Sequence, residues 1–154
     1  MKKYKLYLAG PLFNESEVNQ RKKEGVLLRE HFKEIEIFNP IYQPFNEDKS
    51  KNLPTPIEIY DGDTKAVLES DIFIADITNN DPGVLVELGL AIMNAKTKII
   101  ICVNSDIRLN GSNKYDIPPY SLNHYVLGGI LKHGELVYSF DEAIKLLKNE
   151  FKIN

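Results

Sequence analysis

Short unbroken apolar runs alternate along this chain with longer stretches of helical period. Residues 5–9 read as a first strand closed by Gly10-Pro11, and 35–38 as a second closed by Asn39-Pro40. Residues 72–76 and 98–103 read as a third and a fourth, and 136–138 as a short fifth. Between them the spacing predicts helices over 15–32, 63–70, 82–95, near 121–131, and over 140–151. Val18, Leu27, Leu28 and Phe32 are among the apolar positions of the first. Strands that are apolar throughout belong to a parallel sheet buried on both faces. The pattern therefore predicts an α/β fold. It is an open doubly wound sheet, flavodoxin-like or Rossmann-like, of about five mainly parallel strands with helices on both faces. Such sheets bind ligands beyond the carboxyl ends of their strands, near the point where the strand order reverses. Two stretches, 41–56 and 104–119, have no period, and loops of that length in a compact domain more often carry binding or interface function than disorder.

The 154 residues suit one domain, 1–154, large enough to bury a real core. A net charge of −3 leaves no basic footprint for a nucleic-acid polymer or an anionic membrane. The single cysteine, Cys102, lies inside an apolar run; it excludes an internal disulfide and suits a reducing compartment. The N-terminus runs directly into a strand without the apolar core of a signal peptide, and no apolar run approaches the ~18 residues that span a bilayer. The expectation is a cytoplasmic globular protein. Glycine-rich phosphate loops, paired cysteines and zinc-binding histidine motifs are missing, and His31, His124 and His133 lack metal-ligand spacing. Neither a metal nor a dinucleotide is expected.

Carboxylates at strand ends remain. In Asp81-Pro82-Gly83-Val84-Leu85-Val86-Glu87-Leu88-Gly89, Pro82 suits the first helical position and Asp81 is a good N-cap. On that helix Glu87 shares a face with Gly83, Val84, Leu90 and Ala91, the face expected to pack on a core. An ionised carboxylate held there without a partner is costly. Glu87 is therefore either paired and structural or kept for chemistry, and its sequence neighbours offer no cation. Asp63, read as opening its helix, Asp76 at the end of the third strand, and Asp81 lie near the same sheet edge, with Tyr7 late in strand one able to reach it. Each has a plainer reading: a dipole partner, a strand-end acid, a cap, a core tyrosine. Paired carboxylates in a partly dry cleft cleave glycosidic bonds, one as nucleophile on the anomeric carbon and one assisting the leaving group. The helix N-terminus ahead of Glu87 favours its ionised form, and a tyrosine hydroxyl can orient it.

These residues carry a resemblance. Tyr7-Leu8-Ala9-Gly10-Pro11-Leu12-Phe13, then Asp63 with Ser70-Asp71-Ile72-Phe73-Ile74-Ala75-Asp76, then Asp81 with Gly83-Val84-Leu85-Val86-Glu87-Leu88-Gly89, then Leu122-Asn123 followed by Leu127-Gly128-Gly129 stand in order and spacing. Together they resemble the nucleoside 2-deoxyribosyltransferases, which share a fold with the 2'-deoxynucleoside 5'-phosphate N-hydrolases. The resemblance implies that Glu87 attacks C1' of the deoxyribose, that Asp63 passes protons to and from the bases, and that Tyr7 holds Glu87. It implies that Asp81 binds a sugar hydroxyl, that Gly10, Phe13 and Gly83 line the substrate site, and that Asn123 reaches the 5'-hydroxyl from a neighbouring subunit of a homo-oligomer. Deoxynucleosides and free nucleobases are the implied partners, with no cofactor. Tyr125 stands where family members often carry Met, two residues after the asparagine. The loop 13–17 is acidic, with no Arg or Lys until Arg21, which favours free nucleosides over 5'-phosphates. Hydrolysis of a 2'-deoxynucleoside or its 5'-monophosphate is the alternative activity, and a non-catalytic nucleotide-sensing module the second alternative. Tyr42, Phe45 and Tyr115 are candidates to stack on a base.

Overall fold

Alternation in the sequence becomes layering in space. The computed structural model describes residues 3–43, 53–111 and 122–153. Its elements are β1 (Tyr4–Ala9), α1 (Glu15–His31), β2 (Ile35–Phe38), α2 (Pro56–Glu69), β3 (Ile72–Asp76), α3 (Pro82–Met93), β4 (Ile99–Val103), α4 (His124–His133), β5 (Glu135–Val137) and α5 (Phe140–Asn149). Short 3₁₀ segments occupy Pro40–Tyr42 and Ile107–Gly111. The five strands are all parallel, in the order β2-β1-β3-β4-β5. The order reverses between β1 and β3, and there the doubly wound sheet opens a crevice at its carboxyl edge.

Period-two alternation divides the core. Leu6 and Leu8 of β1 face α1 and α5, packing with Leu28, Phe32, Ile144 and Leu147. Tyr7 and Ala9 face α2, α3 and α4, packing with Val67, Val84, Leu88 and Ile130. Both faces of the central strands are dry, which explains why they carry no polar alternation. Burying each such aliphatic side chain is worth about 1.5–3 kcal/mol, so the sheet edge is built on a stiff floor.

One expected boundary is wrong in a way that matters. Helix α2 begins at Pro56, not at Asp63. Thr55 and Glu58 form a reciprocal capping box and Pro56 takes the first turn, so the helix nucleates two turns early. Gly62 is carried inside the helix with open space around it. Asp63 is therefore a mid-helix residue and not a helix opener. Helix α4 begins at His124, with Asn123 as its cap, three residues later than expected. Among the described residues no helix is long and apolar enough to cross a membrane.

Candidate active site

Beside the β1–β3 reversal the chain ends form a cleft of about 320 Å³, at the lower end of the range for small-molecule sites. The segment after β1 supplies Gly10, Leu12 and Phe13; α2 supplies Ile59 and Asp63; α3 and its cap supply Asp81, Gly83, Val84 and Glu87. Of the four carboxylates that the sequence pointed to, Asp63, Asp81 and Glu87 are thus brought to one cavity, and Asp76 is not among its lining residues.

Glu87 lies in the second turn of α3, which Val84, Leu88 and Ala91 hold against the sheet. Its partner is Tyr7, whose Oη donates to Glu87 Oε1 at 2.7 Å. Tyr7 is fully buried, and its ring lies between those of its register neighbours on β2 and β3. Phe38 stacks at 5.3 Å and 14°, Phe73 at 5.8 Å and 9°. Three parallel strands thus clamp the phenol by its ring and leave only the hydroxyl facing the acid. Phe38 and Phe73 are supports that residue-by-residue reading missed; their signal was register, since both pair with Tyr7 across the sheet.

Burial sets the titration of the site. It pushes the Glu87 carboxyl up to about 7; the Tyr7 hydrogen bond pulls the other way, and the nearby Asp63 and Asp81 charges raise it again. The expected help from the helix N-terminus does not prevail, because Glu87 lies beyond the first turn, where that field fades. Burial also pushes Asp63 up to about 6. The Tyr7 phenol is raised, first by burial and then by the charges of Glu87 and Asp63, so it stays a protonated donor. Two carboxyls poised near neutrality, one of them held by a fixed donor, can divide the work of nucleophile and proton carrier.

Other sequence candidates separate. Asp81 caps α3, its Oδ1 accepting from the Val84 amide at 3.1 Å, while also lining the cleft. A Cβ at Gly10 would stand 1.7 Å from Arg21 Nη1, so the guanidinium occupies the space a side chain would need. Phe13 stands 73% exposed at the mouth. Asn123 is not in this chain's cleft; its Oδ1 accepts from the Tyr125 and Val126 amides at the start of α4. Asp76 ion-pairs with Arg21 at 2.7 Å, which gives the plainer reading of a structural acid. Tyr42 lies under the Arg29 guanidinium, 5.4 Å from its ring centre, and is not among the cleft residues. Phe45 and Tyr115 lie outside the described residues. Among the described residues no group of three histidine, cysteine or carboxylate side chains is placed to hold a metal ion.

Comparison with known proteins gives the chain its relatives. The family model of nucleoside 2-deoxyribosyltransferase matches residues 6–143. An uncharacterized protein of Ureaplasma parvum serovar 3 is 35% identical over 98% of each chain. Solved structures that share the fold include two of named activity. The 2-deoxyribosyltransferase of Bacillus psychrosaccharolyticus is 17% identical with a TM-score of 0.64, over 91% of this chain and 90% of that one. The CMP N-glycosidase BcmB of Clostridium botulinum is 18% identical with a TM-score of 0.56, over 94% and 97%.

Proposed function

The chain belongs to the nucleoside 2-deoxyribosyltransferase family, and we propose that it moves 2-deoxyribose between nucleobases by a retaining double displacement. The observation that carries this reading is the Tyr7–Glu87 hydrogen bond of 2.7 Å in a cleft shared with Asp63. Ionised Glu87 attacks C1'; the C1'–N bond breaks and its electron pair leaves with the base, which takes a proton from Asp63. A deoxyribosyl ester on Glu87 remains. A second base then attacks C1' from the vacated side, gives its proton to Asp63 and releases Glu87, and two inversions retain configuration. Tyr7 holds the nucleophile, Asp81 takes a sugar hydroxyl, and Gly10, Phe13 and Gly83 shape the wall. No metal or organic cofactor enters these steps.

Free nucleosides are the favoured substrates, since a cleft lined by Asp63, Asp81 and Glu87 repels a phosphate dianion. A homo-oligomer completes the reading, with Asn123 serving a neighbour's cleft. Its support is the apolar outer surface beside Asn123, where Met93 and Tyr125 are 83% and 92% exposed. The fold shared with a CMP N-glycosidase favours a second reading, in which water resolves the ester and the enzyme is a hydrolase. Incubation with deoxyadenosine or thymidine, with and without a second free base, separates them. Transfer predicts an exchanged nucleoside and little base release without acceptor; equal base release in both arms would establish hydrolysis instead.

A further inference from the structure

Arg21 lies in the middle of α1, 1% exposed, and does not itself line the cleft. Its guanidinium donates from Nε and Nη2 to Glu24 at 2.7 and 2.8 Å, and from Nη2 to Asp76 at 2.7 Å. Asp76 is the last residue of β3, and its other oxygen accepts from the Thr78 amide at 3.0 Å. The turn from there to Asp81 includes Asn80 at φ 53°, a left-handed conformation that asparagine tolerates. On a second side the guanidinium lies where a Cβ of Gly10 would be, directly after β1. On a third, the Arg21 carbonyl accepts from Asn39 Nδ2 at 2.9 Å, directly after β2. The residues following these three strand ends, Gly10, Pro40 and Asp81, all line the cleft.

We propose that Arg21 is a positioning residue of the cleft, its side chain spacing the carboxyl ends of β1 and β3 while its backbone carbonyl ties in the end of β2. A buried cation between two carboxylates is a weak device for stability, since apolar replacement of such groups is often neutral. Here Nη1 has no hydrogen-bond partner among the described residues. That donor is left unused while the guanidinium plane lies against Gly10, an arrangement that favours spacing over satisfaction. The planar fork is what the site uses: two carboxylates are bridged at fixed angles, and a lysine ammonium offers no such plane.

The test compares the parent with Arg21→Lys, with Gly10→Ala, and with a triple variant, Arg21→Met, Glu24→Gln and Asp76→Asn, which leaves no buried charge unpaired. With deoxyadenosine and thymidine as probes, kcat/KM falls about 10–100-fold in each, chiefly through KM, because the sugar-holding walls shift by fractions of an ångström. The alkaline limb of the pH profile, which Glu87 governs, stays where it is, because Arg21 hydrogen-bonds to Glu24 and Asp76 and to neither Tyr7 nor Glu87. A folded triple variant with parental KM, or a loss confined to kcat, would overturn the proposal. This arm rests on the deoxynucleoside reaction; amide hydrogen exchange does not. In the Lys and Gly10→Ala variants the Thr78 amide exchanges faster while that of Ile144 in α5 is unchanged. If the parent turns over no nucleoside, the functional reading falls alone, and an unchanged Thr78 amide would still count against Arg21.

Discussion

In the proposed reaction Glu87 and Asp63 need opposite protonation states, ionised nucleophile and protonated donor, yet Glu87 is pushed up to about 7 and Asp63 to about 6. The active combination is therefore a minority form. The kcat/KM profile is expected to be a bell whose maximum falls between those values, with limbs that belong to the pair rather than to either residue. Tyr7→Phe keeps the stacked ring and removes the donor that lowers the Glu87 pKa. Its alkaline limb should move to higher pH, because the higher of the two values belongs mainly to Glu87, while kcat falls by roughly 10–100-fold, as for loss of one oriented catalytic contact. Stability follows the same charges. A carboxyl whose pKa is raised on folding binds more protons in the folded state, so stability falls as pH rises from the ordinary carboxylate range to about 7. Glu87→Gln removes that penalty and should be more stable than the parent above pH 7, by on the order of 2 kcal/mol. The gain should vanish near pH ~4, where the parental acid is protonated in both states; thermal unfolding at the two pH values checks it. Glu87 was legible as an acid out of place on an apolar helix face, because burial periodicity is local. Its raised pKa was not, since it follows from the cavity around it.

Helix α2 shows how a local signal governs a distant role. Asp63 reaches the cleft from mid-helix because Thr55, Pro56 and Glu58 start the helix early. Thr55→Ala should cost about 1 kcal/mol of unfolding free energy, read from denaturant midpoints at constant m. The capping box was present in the sequence as Thr-x-x-Glu. The prolines at 54 and 56 and Gly62 disguised it as loop, although a proline in the first helical turn needs no amide partner. Strand assignments fared better because apolar runs of four to six residues between turn signals have few other uses in an α/β chain. Arg21 and Glu24 were the opposite case. On a helix that reads as polar, an i,i+3 pair resembles a solvated surface contact, and the partner that buries it, Asp76, is 55 residues away.

At the scale of the molecule, the strand reversal between β1 and β3 gathers one tyrosine, three carboxylates and a glycine wall from three separate stretches. The parallel order was legible from alternation; which loops meet above it depends on strand order, which no local pattern encodes. Beyond the cleft, a groove of about 550 Å³ between α3 and α4 is lined by Leu88, Ile92, Met93 and Tyr125, with Lys132 and His133 beside them and no carboxylate among the described lining residues. Asn123 stands at its edge as the cap of α4. The proposed oligomer buries this surface, so Met93→Asp with Tyr125→Asp should reduce the parental mass in light scattering to that of one chain and lower activity with it. The central claim is narrower and rests on one atom pair, Glu87 Oε against C1' of a deoxynucleoside. Its most direct test is the rate of base release by Glu87→Gln, which retains an acceptor oxygen for Tyr7 and whose folding is checked by circular dichroism. A fall of about a thousandfold or more relative to the parent is predicted for loss of a covalent nucleophile; release within tenfold of the parental rate would contradict it.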